Sequence, residues 1–224
     1  FTLLFPVILL LLFGSVYGHY DMHNGFRFVD IYIPSLFAMV MANLGLISIP
    51  ITLAEYRERG ILKHYQVTPL PRFAFLAVQV AVQIFMFLLS AVLILIVGKL
   101  VFHIHYGGNV FATSLFLLLS MAMLYAVGFA VGGLASTIRT AQTAGMAIFF
   151  IMFFSSGAAI PRSEFPKWLQ HVTDYVPLAH VVDVLEDLWV GKSLAHYMGS
   201  IVLVFAILVA ALIVAKWKFR WEAS

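Results

Sequence analysis

The 224 residues include 13 Lys and Arg, 10 Asp and Glu, 63% hydrophobic residues and no cysteine. With 10% charge and a mean hydropathy of +1.02, the chain has too little polar surface for a soluble domain, and disulfides and thiolate metal sites are excluded. It is a polytopic membrane protein by composition, and at roughly 20 apolar residues per helical span its length holds about six spans and no separate soluble domain.

Apolar runs between charged or turn-rich breaks predict membrane helices at 1–18, 31–54, 73–97, 111–137, 142–160 and 197–216, so that residues 1–224 form one all-α transmembrane domain. The first run starts at Phe1 with no initiator Met, which predicts that a natural N-terminal segment is missing. No charged region or convincing small-residue cleavage site marks it as a signal peptide.

Between the second and third runs, residues 55–72 form a charged island. Tyr56, Ile61, Leu62 and Tyr65 alternate with Glu55, Arg57, Glu58, Arg59 and Lys63 at helical spacing, and Thr68-Pro69 stops the pattern, so an amphipathic helix is expected over about 55–65. Such a helix can dock into a groove on a cytoplasmic partner. A solvated loop held at the headgroups by its basic side chains reads equally well from the residues alone.

Six spans place both termini on one face of the membrane. Arg57, Arg59, Lys63, Arg72, Arg139, Lys216, Lys218 and Arg220 then share a face, against Arg27, Lys99, Arg162, Lys167 and Lys192 on the other. The positive-inside rule assigns the richer face, with the island and the termini, to the cytoplasm. Residues 161–196 are too polar to span and too long for a turn, and read as short helices lying in or dipping from the outer interface.

Polar residues within the spans include Asn43, Ser48, Thr52, Gln79 and Gln83, and their first reading is interhelical glue. Mid-depth acids and histidines are nearly absent, which disfavours ion-coupled transport. Phe149, Phe150, Phe153 and Phe154, paired four apart on the fifth run, with Met39 and Asn43 on the second, are candidates for a substrate path suited to a hydrophobic or amphipathic molecule, or for ordinary packing. Gly128 and Gly132 make a small-residue ladder whose simplest role is packing within the chain. Seven histidines fall on the outer face without the spacing of a closed metal site, so no metal is expected. Gly191-Lys192-Ser193 holds only the end of a phosphate-binding loop, with Glu186 where its first glycine belongs.

Arg57-Glu58-Arg59-Gly60, then Thr68-Pro69-Leu70, with six spans and a late outer segment carrying Ser156-Gly157, Ile160-Pro161, Phe165-Pro166-Lys167-Trp168-Leu169 and Pro177-Leu178, resemble the permeases of type-2 ATP-binding-cassette exporters. The resemblance covers nearly the whole chain. It implies that Glu55, Tyr56, Arg57, Glu58, Arg59, Gly60 and Leu62 belong to a coupling helix facing a separate cytoplasmic ATPase subunit, which would carry ATP and Mg. It further implies pairing with a second permease copy or paralogue, with contacts near the first and fifth spans, and location in the inner membrane of a bacterial or archaeal cell. The N-terminal interfacial helix usual in that family is not present in the sequence. On this reading the chain binds no cofactor and is not an enzyme by itself, and drugs, lipids, peptides and glycolipids remain open as cargo. The competing readings are a non-transport membrane scaffold and an intramembrane hydrolase built on Ser155-Ser156-Gly157, the latter lacking a mid-span histidine as base.

Overall fold

The computed structural model describes residues 2–18, 20–23, 25–61, 72–158 and 165–218. Nine α-helices run through these segments: α1 Leu4–Tyr17, α2 Phe28–Asn43, α3 Ile49–Glu58, α4 Arg72–Val97, α5 Val110–Leu134, α6 Ile138–Ser155, α7 Lys167–Thr173, α8 Pro177–Trp189 and α9 Met198–Lys218. A small antiparallel ribbon, β1 Asp21–His23 with β2 Phe26–Arg27, leads into α2. Five continuous helical stretches are long and apolar enough to cross a bilayer: Phe28–Glu58, Leu76–Phe102, Val110–Leu134, Ile138–Ser155 and Met198–Trp217. The protein is therefore an all-α polytopic membrane protein. Helix α1, at 14 residues, would span about 21 Å, short of the hydrocarbon core.

The stretch from Phe28 to Glu58 is the central stave. Its most apolar window is 72% buried, against 11% for α9, because α1, α4, α5, α6 and α8 all pack on parts of it. It is one helix interrupted by a single π turn at Leu44–Ser48, where the Ile49 N–H bonds the Leu44 carbonyl. The cause stands just beyond it, since Pro50 has no N–H to offer the Leu46 carbonyl and its ring crowds that position. Around this turn the neighbouring helices come close. A Cβ built on Gly128 of α5 would lie 1.9 Å from the Gly45 carbonyl oxygen, and one on Gly145 of α6 would lie 2.3 Å from that of Leu46. Only glycine permits backbones to meet at that range. The ladder expected from Gly128 and Gly132 thus packs within the chain, on Gly45, Pro50 and Leu53.

Polar side chains inside the spans bond across helices, as membrane burial demands. Thr2 donates to Asn43 Oδ1 at 3.2 Å, Ser90 to the Thr2 carbonyl at 3.3 Å, and Gln83 Nε2 to Ser48 Oγ at 3.0 Å.

Helix α8 is amphipathic but not superficial. Its apolar side, including Leu178, Val182, Leu185 and Trp189, is buried against α2, α5, α6 and α9, and Ser35 of α2 donates a hydrogen bond to Glu186. The residues that the sequence places in or dipping from an interface here enter the bundle. At the opposite end of the molecule, the second span runs on to Glu58 rather than stopping at 54, so Glu55–Glu58 are its last turn and not the start of a separate helix. The remainder of the expected 55–65 helix, past Ile61, lies outside the described residues.

Candidate functional site

The end of the second span meets the connection between α5 and α6, and two adjacent side chains make the junction. The helix α5 ends at Leu134 with its last carbonyls unpaired within the helix, as every helix does. The guanidinium of Arg57, only 6% exposed, turns inward to them: Nη1 donates to the Ala135 carbonyl at 2.6 Å and Nη2 to that of Gly132 at 3.3 Å. A cation at the negative end of the α5 dipole is favourable as well as hydrogen-bonded. Two residues further along, α6 begins. Thr137 and Thr140 close a reciprocal cap at 3.0 and 3.1 Å, and Glu58 Oε1 accepts the Ile138 N–H at 2.6 Å. A carboxylate at the positive end of a helix completes the pairing. Arg57 therefore holds the end of one helix and Glu58 the start of the next, each with the sign of charge its helix terminus attracts.

The outward side of the same turn is different. Arg59 Nη2 pairs with Glu55 Oε1 at 2.7 Å, one helical turn apart and largely exposed. Gly60 has φ +66° with open space around it, the left-handed residue with which α3 ends. Tyr56 is half-buried between the two sides, and Leu62 lies outside the described residues. Of the seven residues expected to face a partner, Arg57 is buried within the chain, Glu58 is exposed but bonded to the start of α6, Arg59 is exposed, and Glu55 and Gly60 are half-buried. The role of Arg57 and Glu58 had no local signal in the sequence, because their partners stand 75 to 80 positions away.

The six candidate path residues fall into distinct surroundings. Met39 is buried and Asn43 half-buried, beside Thr2, Phe5 and Pro6, around a gap of about 10 Å³. Phe149 and Phe153 are buried and stacked, with centroids 5.6 Å apart, while Phe150 and Phe154 form a second stacked column, at 6.0 Å, that is exposed. Met146 continues the exposed column toward the α5–α6 connection. The Ser155 hydroxyl donates to the Ile151 carbonyl, and Ser156, fully buried, donates to Phe153 and accepts from the Ala158 N–H. Both serines are engaged with local backbone, which lends no support to a nucleophile there. Among the described residues, no three His, Asp or Glu side chains gather as metal ligands.

A bundle of apolar helices whose charged turn at one end clasps the connection between two other spans defines a multi-pass membrane protein. The chain belongs to the ABC-2 type transporter family, whose family model matches residues 1–189; it is a permease-type chain. It is 24% identical over 164 residues to the probable multidrug ABC transporter permease YbhR of Escherichia coli strain K12, a match covering 72% of this chain and 44% of that protein. It is 44% identical over 45 residues to nodulation protein J of Rhizobium meliloti strain 1021, covering 20% of this chain and 17% of that one. The chain thus spans less than half the length of these curated relatives.

Proposed function

We propose that this chain is the transmembrane permease of an ATP-binding-cassette exporter, driven by an ATPase subunit on a separate polypeptide and paired with a second permease. The observation that carries the reading is the Arg57–Glu58 clasp. A push on the exposed Glu55–Arg59 turn is delivered at once to the end of α5 and the start of α6, so three spans move as a unit. A solvated loop needs no such attachment. In this reading the turn faces the cytoplasm of a bacterial or archaeal cell, with the termini on the same side, and α1 is the first of six spans. Its apolar outward residues Leu4, Ile8, Leu11 and Leu12 support that place for it.

The exposed Met146, Phe150 and Phe154 column supplies an apolar wall for a path between two copies, suited to hydrophobic or amphipathic cargo. The family to which the chain belongs, and the permease relative named for multidrug transport, support the export reading. The decisive experiment is mild-detergent purification of the chain from its own host, with co-purifying proteins identified and ATP hydrolysis assayed. A stoichiometric ATP-binding-cassette subunit whose activity changes on substitution in residues 55–62 is expected. A stable complex without an ATPase, reproduced by crosslinking in intact membranes, would overturn the reading in favour of a scaffold.

A further inference from the structure

At the membrane end opposite the clasp, α4, α5, α2 and α8 line an open cavity of about 640 Å³, within the roughly 300–1,000 Å³ span of small-molecule sites. Phe37 and Trp189, both buried, form its inner wall, and Leu95 and Leu117 its flanks. Lys99, Val110 and Ser114, which belong to two of the helical stretches long enough to cross a bilayer, stand exposed at its rim. It is separate from the clasp and from every candidate path residue.

The wall nearest Lys99 is built with unusual care. Lys99 sits in a second π turn, Gly98–Phe102, and the chain leaves that turn through His103 in a left-handed conformation, φ 52°, which a non-glycine residue rarely holds. Arg27 Nη2 fixes it by donating to the carbonyls of Phe102 and His103 at 2.7 and 3.0 Å. The His105 N–H donates to Asp30 Oδ1 at 2.8 Å, and Trp189 Nε1 donates to the His105 carbonyl at 3.2 Å. The Tyr106 hydroxyl pairs with that of Thr113 at 3.0 Å. Strain sustained by surrounding bonds is a mark of a preorganised site. In contrast to Arg27, Lys99 pairs with no carboxylate among the described residues, and no Asp or Glu lines the cavity. Among the described residues it is the single Lys or Arg of the lining.

We propose that this cavity is a lipid site that takes one acyl chain of an anionic phospholipid, with the headgroup on Lys99. An acyl chain gains little by exchanging bulk lipid for apolar protein, so chain burial supplies no selectivity, and occupancy follows from the abundance of lipid around the span. Selectivity falls to the one ammonium, which attracts an anionic lipid at the membrane surface about five-fold over a neutral one. The proposal rests on the membrane location of the chain and not on its role in export.

The test uses the full chain in nanodiscs of mixed phosphatidylglycerol and phosphatidylcholine, with one of the two carrying a diazirine on its acyl chain. Mass spectrometry maps the labelled peptides, and the lipid-exposed α9 residues Val202 and Phe205 serve as internal reference. Labelling at Leu95 and over 110–117 is expected to favour phosphatidylglycerol roughly five-fold after normalisation to α9. Lys99→Gln should bring the two lipids to parity, and Lys99→Arg should keep the preference. Ser114→Trp, which places a ring in the mouth of the cavity, should remove labelling there by either lipid and leave α9 unchanged. Equal labelling by both lipids in the wild type, an unaltered preference in Lys99→Gln, or persistent labelling in Ser114→Trp would each overturn the proposal. Displacement by millimolar inorganic phosphate alone would do so too, because it would show an anion site with no part for the chain.

Discussion

Arg57→Met is the most direct probe of the clasp. Methionine retains an apolar stem of comparable reach but cannot donate, so the carbonyls of Ala135 and Gly132 lose their partner. A hydrogen bond from a charged donor is worth about 1.5–3 kcal/mol. The 2.6 Å bond to Ala135 merits the full figure and the 3.3 Å bond to Gly132 a fraction of it, giving a loss of about 2–4 kcal/mol. For a chain of this size 1 kcal/mol moves the melting midpoint by roughly 2–4 °C, so a fall of roughly 5–15 °C is expected in detergent, followed by fluorescence-detected size exclusion. Arg57→Lys, able to reach one carbonyl, should lose about half as much. If the clasp also transmits movement, transport per ATP hydrolysed should drop in Arg57→Met at equal amounts of folded complex, with the ATPase subunit still bound. An Arg57→Met protein as stable as wild type would refute the junction as a structural element. Normal stoichiometry of transport to hydrolysis in a destabilised variant would refute its part in coupling.

Glu58→Gln keeps an oxygen for the Ile138 N–H and loses only the charge at the α6 terminus, so its midpoint should fall by no more than roughly 1–4 °C, the equivalent of about 0.3–1 kcal/mol. Glu58→Ala, losing bond and charge, should cost about 1–2 kcal/mol by the same measurement. Gly128→Ala must open a gap of more than 1 Å against the Gly45 carbonyl, and the overpacking penalty of about 1–3 kcal/mol or more should exceed the helix-propensity gain of about 1 kcal/mol. Gly199→Ala in α9, where an added Cβ meets nothing within 4 Å, should be neutral or stabilising in the same melt, and a similar result for both variants would deny the close seam.

Hydropathy made the spans legible, since a helix that must satisfy its own backbone in lipid announces itself by length and composition. The second span still ran past its expected limit of 54. Residues 55–58 look like surface charge, whereas Arg57 and Glu58 are engaged by the carbonyls of Gly132 and Ala135 and the N–H of Ile138, partners distant in sequence. Similarly, the length and polarity of 161–196 made α8 read as interfacial, whereas Ser35 donates to Glu186 inside the bundle and Lys192 and Tyr197 hold Asp187. The Gly128 and Gly132 ladder was readable from spacing, but its counterpart Gly45 was not, because a lone glycine carries no periodicity. Lys99 was visible only as a charge at a span edge. The cavity beside it depends on a strained turn whose supports come from Arg27 and Asp30 at the start of α2 and from Trp189 at the end of α8, two distant parts of the chain.

The π turn and the clasp are geometrically dependent. A π turn accommodates one residue more than the four-residue step of an α-helix, and one residue is about 100° of rotation. With Leu44–Ser48 wound as it is, α3 presents Arg57 to the end of α5 and Glu58 to the start of α6. Deleting Ile47, within the turn, should therefore remove the extra residue there, leaving a proline-kinked α-helical turn at Pro50, and keep the clasp in register. Deleting Thr52, below the turn, should rotate both side chains by about 100° away from their partners. The chain has no cysteine, so Glu58→Cys with Thr137→Cys can be joined by a short thiol crosslinker without further substitutions. Crosslinking should survive the Ile47 deletion and fail with the Thr52 deletion, although both remove one residue from the same span. The same yield from both deletions would show that the loop around Glu58 adapts freely, and the second span could not then act as a rigid lever on α5 and α6.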